Sequence, residues 1–466
     1  MLQIPEVKSP EKKQDLKTRL LWTLGVLILY LFIASVPLFG IQGEIAQQLQ
    51  RLELLFGAKI GTLLTLGIGP IVTASIMLQL FKGAGVLKFD LNTEDGKFLY
   101  HGTHKLLTFT FIIIQSYIFV NFGGISADPT IANSFAFVVT QLILGGLLIF
   151  YFDEIIKKWG FGSGVSLFIA AGIGAAVFVQ LFSPFTASSE FFVGSEELPI
   201  GKIFLFFIYI IQNDFVSLFN LVLVPIAITL ALLFIIVFFQ AVNVQIPLSF
   251  GKVRGQSFKW PLNFFYAGVI PVIFVSAILA NVSLIAGFVQ PADPDSASAL
   301  RIFLSENVFG QFDEAGNPIS GLAFWLTPVF FLGAGTDLTS IYTYLHALVY
   351  MSLMIAGSTL FAYLWVQTAG MDPYSQAKQI INSGLQIPGF RKDVRIIERL
   401  LERYIGPLTI MGGIGVGVLA SVADMFSALT QGTGILLLVM IVYQFYQQLA
   451  KESMEDFSLL RKLMRR

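Results

Sequence analysis

The sequence predicts an all-α polytopic membrane protein with ten transmembrane helices in two inverted five-helix halves. Three observations predict this fold: an apolar composition, a series of apolar runs, and motifs that recur at matching positions in the two halves. Hydrophobic residues make up 55% and charged residues 12% of the 466 residues, whereas soluble globular chains carry about 25% charged residues. The composition therefore excludes a soluble multidomain protein.

Ten apolar runs approach the roughly 20 residues that a helix needs to cross about 30 Å of hydrocarbon. None contains Lys, Arg, Asp or Glu, and the apolar stretch Gly201–Gln212 is expected to extend the sixth. The first run is too long for a cleaved signal peptide and more runs follow, so we expect it to be retained. The predicted spans are Leu20–Phe39, Gly69–Leu80, Leu106–Phe122, Phe135–Tyr151, Val165–Phe182, Phe215–Ala241, Phe264–Phe288, Ile341–Thr368, Pro407–Val422 and Gly434–Gln447.

The charges divide between the two sides of the membrane. If the N-terminus, every second loop and the C-terminus lie on one side, that side carries 25 Lys and Arg against 15 Asp and Glu, and the other carries 4 against 14. Cytoplasmic loops are enriched in Lys and Arg. The pattern predicts a multi-pass protein of the cell (plasma) membrane with both termini in the cytosol. The expected divisions are a cytosolic segment 1–19, a first half 20–183, an external loop with the start of the sixth span 184–213, a second half 214–450 and a cytosolic tail 451–466.

Two cytosolic loops are long enough to have structure of their own. Val242–Asn263 alternates apolar and polar residues around the glycines of 251–255, which indicates a hairpin. Met371–Tyr404 carries six Lys and Arg, and Val394–Arg403 has an amphipathic helical pattern. The basic residues of these loops favour contact either with anionic lipid headgroups or with a large polyanion such as a ribosome.

An internal repeat relates the two halves. The second span begins Gly67-Ile68-Gly69-Pro70 and the seventh contains Gly268-Val269-Ile270-Pro271; the fifth opens Gly162-Ser163-Gly164 and the tenth Gly432-Thr433-Gly434. These motifs hold equal ranks in two halves of five spans. Because five is odd, the halves must have opposite topology, as in inverted-repeat membrane proteins.

The segment Gln50–Leu66 is moderately apolar but contains charged residues, and the Gly-Pro break at Pro70 follows it. Proline disfavours helix at the preceding residue, so we expect a separate short helix on the external side. Such a helix either closes a cavity between the halves or lies as an amphipathic helix on the outer surface.

Five stretches together resemble the SecY family, the pore subunit of the protein translocon, in its archaeal or eukaryotic form, with a preference for the archaeal one. The resemblance runs from about Arg19 to Leu449, with all five motifs in order. They are IGTLLTLGIGPIVTASIMLQL (60–80), YFDEIIKKWGFGSGVSLFIAAG (151–172), AGVIPVIFVSAILANV (267–282), MDPYSQAKQIINSGLQIPGFRKD (371–393) and GTGILLLVMIVYQFYQQL (432–449). The resemblance implies that the two halves enclose a central pore.

The resemblance also implies roles for four sets of residues. The apolar ring at the waist of the pore is expected at Ile68, Val72, Val165, Ile169, Ile273 and Leu437. The plug is expected at Gln50–Thr65, with Gln50, Arg51, Leu52, Leu54, Leu55, Phe56, Gly57 and Ile60. The lateral gate, between the second and third spans and the seventh and eighth, is expected to contain Thr73, Gln115 and Asn281. Ribosome docking is expected at Lys252, Arg254, Lys259, Arg391, Lys392 and Arg395.

Each role has a structural alternative. The ring residues, taken singly, are typical of helix packing or lipid contact. The gate residues are also typical of polar side chains that hold a helix bundle together, and the two interpretations are compatible.

The resemblance implies the partners SecE, a small third subunit of the SecG or Sec61-beta type, a translating ribosome, nascent polypeptides with signal sequences, and the lipid bilayer. It implies no small-molecule substrate. No P-loop is found, so a partner must supply the energy for transport. We expect no cofactor, no metal site and no catalytic residue, because the chain has no cysteine and three histidines.

Two other classes of protein remain. An inverted-repeat secondary transporter of small solutes would place an ionisable residue in its bundle, and the predicted spans contain none. An intramembrane serine protease using Ser163 would need a histidine near it, and among the predicted spans only the eighth contains one, His346.

Overall fold

The structure is a computed structural model. It describes residues 5–12, 14–41, 59–87, 89, 93–121, 125, 127–186, 190–192, 197–250, 257–290, 299–313, 318–331, 339–383, 385–386, 393–426, 429–430 and 432–463.

The described part is dominated by helices, most of them long and apolar. In chain order the helices are α1 Leu16–Ile33, α2 Gly69–Gly83, α3 Glu94–Asn121, α4 Ser134–Trp159, α5 Gly164–Phe182, α6 Lys202–Ile211, α7 Phe215–Ala241, α8 Ile270–Val289, α9 Ala299–Phe303, α10 Gly321–Leu326, α11 Ile341–Thr368, α12 Pro373–Asn382, α13 Val394–Met425 and α14 Gly432–Leu463. The helix α7 includes a π-helical turn at Leu218–Leu223, and a second π-helical turn, Leu304–Phe309, follows α9.

The ten predicted spans correspond to α1, α2, α3, α4, α5, α7, α8, α11, α13 and α14. Within the described ranges, nine helical segments are long and apolar enough to cross a membrane. The remaining span, α2, has 15 residues. It is short because Pro70 lies in its first turn and the preceding residues 59–68 are not helical.

The expectation that Gly201–Gln212 extends the sixth span is wrong. These residues form the separate helix α6, which ends at Ile211. Asn213 has a left-handed backbone with φ +56°, and the carboxylate of Asp214 then accepts a hydrogen bond from the backbone N–H of Ser217 at 3.1 Å. Asn and Asp favour this break because Asn tolerates φ > 0 and Asp caps the next helix.

The ninth predicted span also has a different start. The amphipathic stretch Val394–Arg403 and the apolar run from Pro407 form one continuous helix, α13, with Pro407 inside it. Ile397 and Leu401 in its N-terminal part are fully buried, as the pattern predicts, whereas Ile396 is exposed. Hydropathy alone therefore placed the start of the helix too late.

The two long polar loops pack together. The strands β1 (Asn243–Phe250) and β2 (Ser257–Asn263) form the predicted antiparallel hairpin, and the short strand β3 (Leu385–Gln386) from the second loop pairs with β1. Beneath this sheet lies a small apolar core to which β1, β2, α12 and α13 contribute.

The inverted repeat has a counterpart in the backbone. Gly67 and Gly268, the first glycines of the paired motifs, have left-handed backbones with φ +52° and +69°. Glycine adopts this conformation without steric cost. Each glycine turn precedes a helix whose first turn contains proline, α2 and α8. Corresponding helices in the two halves thus begin in the same way, with a left-handed glycine followed by a proline in the first helical turn.

Candidate pore and lateral gate

The six residues expected to form the apolar ring lie on or beside four helices drawn from both halves. Five of them are buried, with exposed fractions between 0% and 6%, and Val165 is half-buried. Ile68 directly precedes α2, Val72 lies on α2, Val165 and Ile169 on α5, Ile273 on α8, and Leu437 on α14.

The glycine-proline turns set the positions of the ring residues on α2 and α8. The backbone N–H of Val72 donates to the carbonyl of Ile68 at 3.0 Å, so these two side chains lie one helical turn apart on the same face. On α8 the N–H of Ile273 donates to the carbonyl of Val269 at 3.3 Å. Each turn therefore fixes the position of branched ring side chains in the first turn of its helix: Ile68 and Val72 at α2, and Ile273 at α8.

One continuous cluster of apolar side chains contains Ile68, Val72, Ile169, Ile273 and Leu437, and Val165 packs against it. Sequence reasoning missed two members from the segment before α2: Leu64, which is fully buried, and Leu66. Both lie within the motif 60–80 that carried the resemblance, and their apolar character was the available signal. The structure brings the predicted ring residues into the common core, which also holds ordinary packing residues.

Most of the predicted plug lies outside the described residues. This applies to Gln50, Arg51, Leu52, Leu54, Leu55, Phe56 and Gly57. Ile60 is described, and it is buried in the same apolar cluster as the ring.

The described end of the predicted plug is held in place by backbone hydrogen bonds. The N–H of Leu38 donates to the carbonyl of Gly61 at 2.9 Å, and the N–H of Leu63 donates to the carbonyl of Val36 at 3.0 Å. The carbonyl of Leu63 also lies so close to Gly145 on α4 that a Cβ there would be 1.7 Å away. Non-helical backbone at membrane depth survives only where protein or a cavity covers it, and here protein does.

The structure brings the three predicted gate residues together. Thr73 on α2 accepts hydrogen bonds at its Oγ1 from Nε2 of Gln115 on α3 and from Nδ2 of Asn281 on α8, both at 3.3 Å. The threonine hydroxyl itself donates to the carbonyl of Gly69 at 2.8 Å. All three side chains are half-buried. A polar cluster therefore joins the first half to the second at this position.

Each side of the gate is internally packed. In the first half Ser75 of α2 and His104 of α3 are hydrogen-bonded at 2.8 Å. In the second half Phe274 of α8 stacks edge-on against Phe361 of α11, with ring centroids 5.7 Å apart. Between the halves, the rings of Phe119 and Phe288 lie 5.5 Å apart. Among the described residues, the contacts between the halves here are a small polar cluster and apolar side chains, with no ion pair.

The serine–histidine pair at Ser75 and His104 was not expected, because α3 begins at Glu94 and extends beyond the predicted span. The hydroxyl of Ser75 lies 2.9 Å from the carbonyl oxygen of Ile71 and 2.8 Å from Nε2 of His104. Which of the serine and histidine groups donates to the other depends on the tautomer of His104. Ser163, the predicted nucleophile of the protease alternative, lies immediately before α5.

Buried acids within the helices correct another expectation. The predicted spans contain no ionisable residue, but Asp153 on α4 and Asp424 on α13 are 3% and 4% exposed. Both lie just beyond the predicted spans and inside the observed helices. The absence of an ionisable residue from the bundle therefore does not hold as an argument against a transporter.

Two of the six predicted docking residues lie in or beside the three-stranded sheet, one on β2 and one on α13. Lys259 on β2 and Arg395 at the start of α13 are described, and both are exposed. The carboxylate of Asp393 accepts from the N–H of Arg395 at 2.9 Å and caps α13. The other four, Lys252, Arg254, Arg391 and Lys392, lie outside the described residues.

An ionic cluster beside the N-terminal segment was missed by sequence reasoning because its members are far apart in the chain. Lys158 contacts Glu6 and Glu154, and Lys105 also contacts Glu154, at 2.7 Å. The hydrogen bond from Lys158 holds the pKa of Glu6 below its ordinary value. These contacts attach the N-terminal segment to the ends of α3 and α4.

Comparison with known proteins identifies this arrangement. The family model described as SecY matches residues 62–446. The chain belongs to the SecY family. It is 37% identical over 458 residues to the protein translocase subunit SecY of Methanothermobacter thermautotrophicus, with 97% of this chain and 94% of that protein covered. It is 34% identical to the SecY subunit of Archaeoglobus fulgidus, with 99% and 96% covered. These SecY relatives agree with the archaeal character of the motifs.

Solved structures agree with the SecY assignment. A structure of a protein-conducting channel matches with a TM-score of 0.80 and 34% identity over 97% of this chain and 96% of that one. Sec61 from the canine ribosome–channel complex of the endoplasmic reticulum matches with a TM-score of 0.77 and 33% identity, again covering 97% and 96%. The predicted all-α fold and the predicted family are confirmed, and the translocation channel is supported over the secondary transporter.

Proposed function

We propose that the chain is the pore subunit of a translocon, through which secretory polypeptides cross the membrane and from which membrane helices leave sideways. The observation that carries the proposal is the placement of ring residues from four helices of both halves in one buried apolar cluster. A pore at the junction of two halves can widen when the halves separate, which a site inside one half cannot do.

The ring closes the resting channel by its apolar character. Hydrophobic constrictions exclude water and ions by dewetting. Branched aliphatic side chains also form no directional bonds with a moving polypeptide, so they can yield around it. The role that we infer for the plug, Gln50–Thr65, is to seal the external side of the ring; its described residues Ile60 and Leu64 are buried in the same apolar cluster as the ring.

The lateral gate opens between α2 with α3 and α8 with α11. The hydrogen bonds of Thr73 to Gln115 and Asn281 are long, at 3.3 Å, against about 2.9–3.0 Å for typical N–H···O bonds. Long bonds of this kind resist separation only weakly. A hydrophobic signal sequence covers the apolar surfaces that the separating helices expose, which makes opening depend on the signal.

The partners are a SecE subunit, a small third subunit of the SecG or Sec61-beta type, the ribosome and nascent polypeptides with signal sequences. The ribosome is supported by the similarity to Sec61 from a ribosome–channel complex and by the basic side chains of Lys259 and Arg395 on the cytosolic sheet and helix. The protein lies in the plasma membrane with both termini in the cytosol, in line with the charge distribution. It is a channel and not an enzyme.

Reversing two basic loop residues is expected to weaken ribosome binding. The double variant Arg254→Glu with Arg391→Glu removes two cations from polar loops and leaves the helix packing intact. The salt slope of binding should fall by about 1 for each phosphate group that the loops no longer neutralise. Co-sedimentation with ribosomes across a salt series is the measurement. The control is Lys12→Glu with Lys97→Glu, two residues elsewhere on the same side; equal binding by both double variants would assign the loops to lipid headgroups instead.

Proteoliposomes test the function directly. The chain, purified with the subunits that accompany it, should protect a signal-bearing polypeptide from added protease while it excludes a small solute such as a sugar. A secondary transporter would show solute uptake and no protected polypeptide, and that result would overturn the proposal.

A further inference from the structure

Two buried aspartates occupy corresponding places in the two halves. Asp153 lies in the last two turns of α4, the helix that precedes α5, and Asp424 lies in the last turn of α13, the helix that precedes α14. Each carboxylate accepts a hydrogen bond from the start of the next helix: from the N–H of Val165 at 3.0 Å and from the N–H of Thr433 at 2.6 Å. The carboxylates are therefore caps supplied by the preceding helix.

The backbone is built closely around both caps. A Cβ at Gly164 would lie 2.6 Å from Cα of Asp153, and a Cβ at Gly432 would lie 1.9 Å from the carbonyl carbon of Ala423. Both glycines directly precede the capped N–H. By these contacts Gly164 corresponds to Gly432. The sequence motifs alone match Gly162 with Gly432, so the two alignments differ by two residues. Each helix start is pressed against the end of its predecessor at a glycine.

In both halves a ring residue lies four residues after the residue whose N–H is capped. Ile169 follows the capped Val165 by four residues, and Leu437 follows the capped Thr433 by four residues. Residues four apart share one face of a helix. Ile169 and Leu437 are 0% and 1% exposed. A cap that fixes the height and rotation of the first turn therefore also fixes where the ring side chain points.

The two caps act on opposite ends of an antiparallel helix pair. A Cβ at Gly162, just before α5, would lie 2.1 Å from the ring of Phe445, which is far along α14. Gly434, at the start of α14, lies against Ile173 of α5. The start of each helix therefore packs against the body of the other, and the two carboxylates hold the pair at both ends.

The wider contacts of the carboxylates differ. Asp153 pairs with Lys157 at 2.6 Å. Asp424 accepts from the hydroxyl of Tyr350 on α11 at 2.8 Å and also from the hydroxyl of Thr433. Only the bond to the start of the next helix is common to both halves. The inverted repeat thus retains the cap and varies its surroundings.

We propose that Asp153 and Asp424 are positioning residues for the pore constriction: each sets the orientation of one ring side chain, Ile169 and Leu437 respectively. Carboxylates near a helix N-terminus are stabilised by the helix dipole and the free N–H groups. A buried acid would otherwise be costly in a membrane protein, and the cap offsets this cost. The proposal rests on the ring assigned under the proposed function.

The absence of cysteine from the chain allows a test by thiol labelling. Ile169→Cys and Leu437→Cys are each combined with Asp153→Ala or Asp424→Ala, in purified channels reconstituted with their subunits. A membrane-impermeant thiol reagent then reports how far each position is exposed to water. Asp153→Ala should speed labelling at Ile169→Cys about tenfold and leave Leu437→Cys unchanged, the size expected from loss of one hydrogen bond to a charged group. Asp424→Ala should speed labelling at Leu437→Cys and leave Ile169→Cys unchanged.

Three controls separate positioning from general damage. Asp153→Asn and Asp424→Asn keep an oxygen that can accept the N–H, so labelling should stay slow. Tyr350→Phe removes a contact of Asp424 but leaves the hydrogen bond to the N–H of Thr433, so labelling should also stay slow in this variant. If the alanine variants do not fold, Asp153→Glu and Asp424→Glu keep the charge but displace the acceptor, and each should speed labelling in its own half.

Unchanged labelling in the folded variants, or an equal rise at both cysteines, would overturn the inference. Failure of the ring assignment is distinguishable from this. It would leave Ile169→Asn and Leu437→Asn channels sealed to ions while the labelling still followed the aspartate in each half.

Discussion

Asparagine in place of Ile68, Val72, Ile169 or Ile273 is expected to make the resting channel conduct ions. These side chains are 0–6% exposed and belong to one apolar cluster. An apolar constriction stays dry because water finds no hydrogen-bond partner in it. An amide supplies such a partner at the narrowest point, so a single substitution should allow water and ions to enter.

Single-channel conductance in planar bilayers measures this effect. The matched controls are Ile169→Leu and Ile273→Leu, which keep the volume and the apolar surface and should remain silent. A variant that merely unfolds would lower the number of channels and would not produce discrete openings. If several asparagine variants conduct no more than the leucine controls, these residues do not line the constriction.

Leucine at Thr73, Gln115 and Asn281 together should make the channel demand more hydrophobic signal sequences. In the shut gate the two hydrogen bonds of Thr73 are long, and such bonds contribute about 0.6 kcal/mol each on average in membranes. In the open gate the native polar groups are hydrated, whereas leucines would expose apolar surface to water. About 60 Å² of added exposure at roughly 25 cal/mol per Å² amounts to about 1.5 kcal/mol, or around tenfold in the open population.

The measurement is translocation of one reporter behind signals of graded hydrophobicity. The threshold of the triple variant should move towards more hydrophobic signals, since the signal must supply the missing opening energy. Thr110→Leu is the control, because Thr110 lies on α3 with Gln115 but is exposed, and its hydroxyl bonds within its own helix. A threshold that stays in place, or that moves towards weaker signals, would contradict this mechanism of the gate.

The fold was largely predictable because lipid imposes a simple rule. Spanning helices must be long and apolar, and the charge distribution and the glycine-proline motifs then order them into two halves. The hairpin at β1 and β2 was also predictable, since it alternates apolar and polar residues. These features depend on local sequence alone.

Helix ends were less predictable, because hydropathy ends a span at the first charged residue. Asp153 and Asp424 lie beyond the predicted spans, yet α4 and α13 continue through them. The N–H groups of the next helices compensate these carboxylates, and such long-range partners are not visible in a hydropathy profile. The same reason explains why the bond between Ser75 and His104 was missed.

The site was predictable in its polar cluster and less so in its ring. The resemblance placed Thr73, Gln115 and Asn281 in one polar cluster, and the structure joins them by hydrogen bonds. The ring residues, by contrast, share composition and burial with ordinary core residues such as Leu64. Burial alone does not separate a constriction from a core, so a functional measurement is needed.

Passage of a polypeptide through the ring is tested most directly by a cross-link to a stalled substrate. Ile169→Cys or Ile273→Cys is placed in the cysteine-free chain and combined with a reporter that carries one cysteine and stops midway across the proteoliposome membrane. Phe234→Cys serves as the control, because Phe234 on α7 is 69% exposed. We expect disulfide cross-links at Ile169→Cys and Ile273→Cys and none at Phe234→Cys; cross-linking that is absent at both ring positions, or no stronger there than at Phe234→Cys, would contradict passage through the ring.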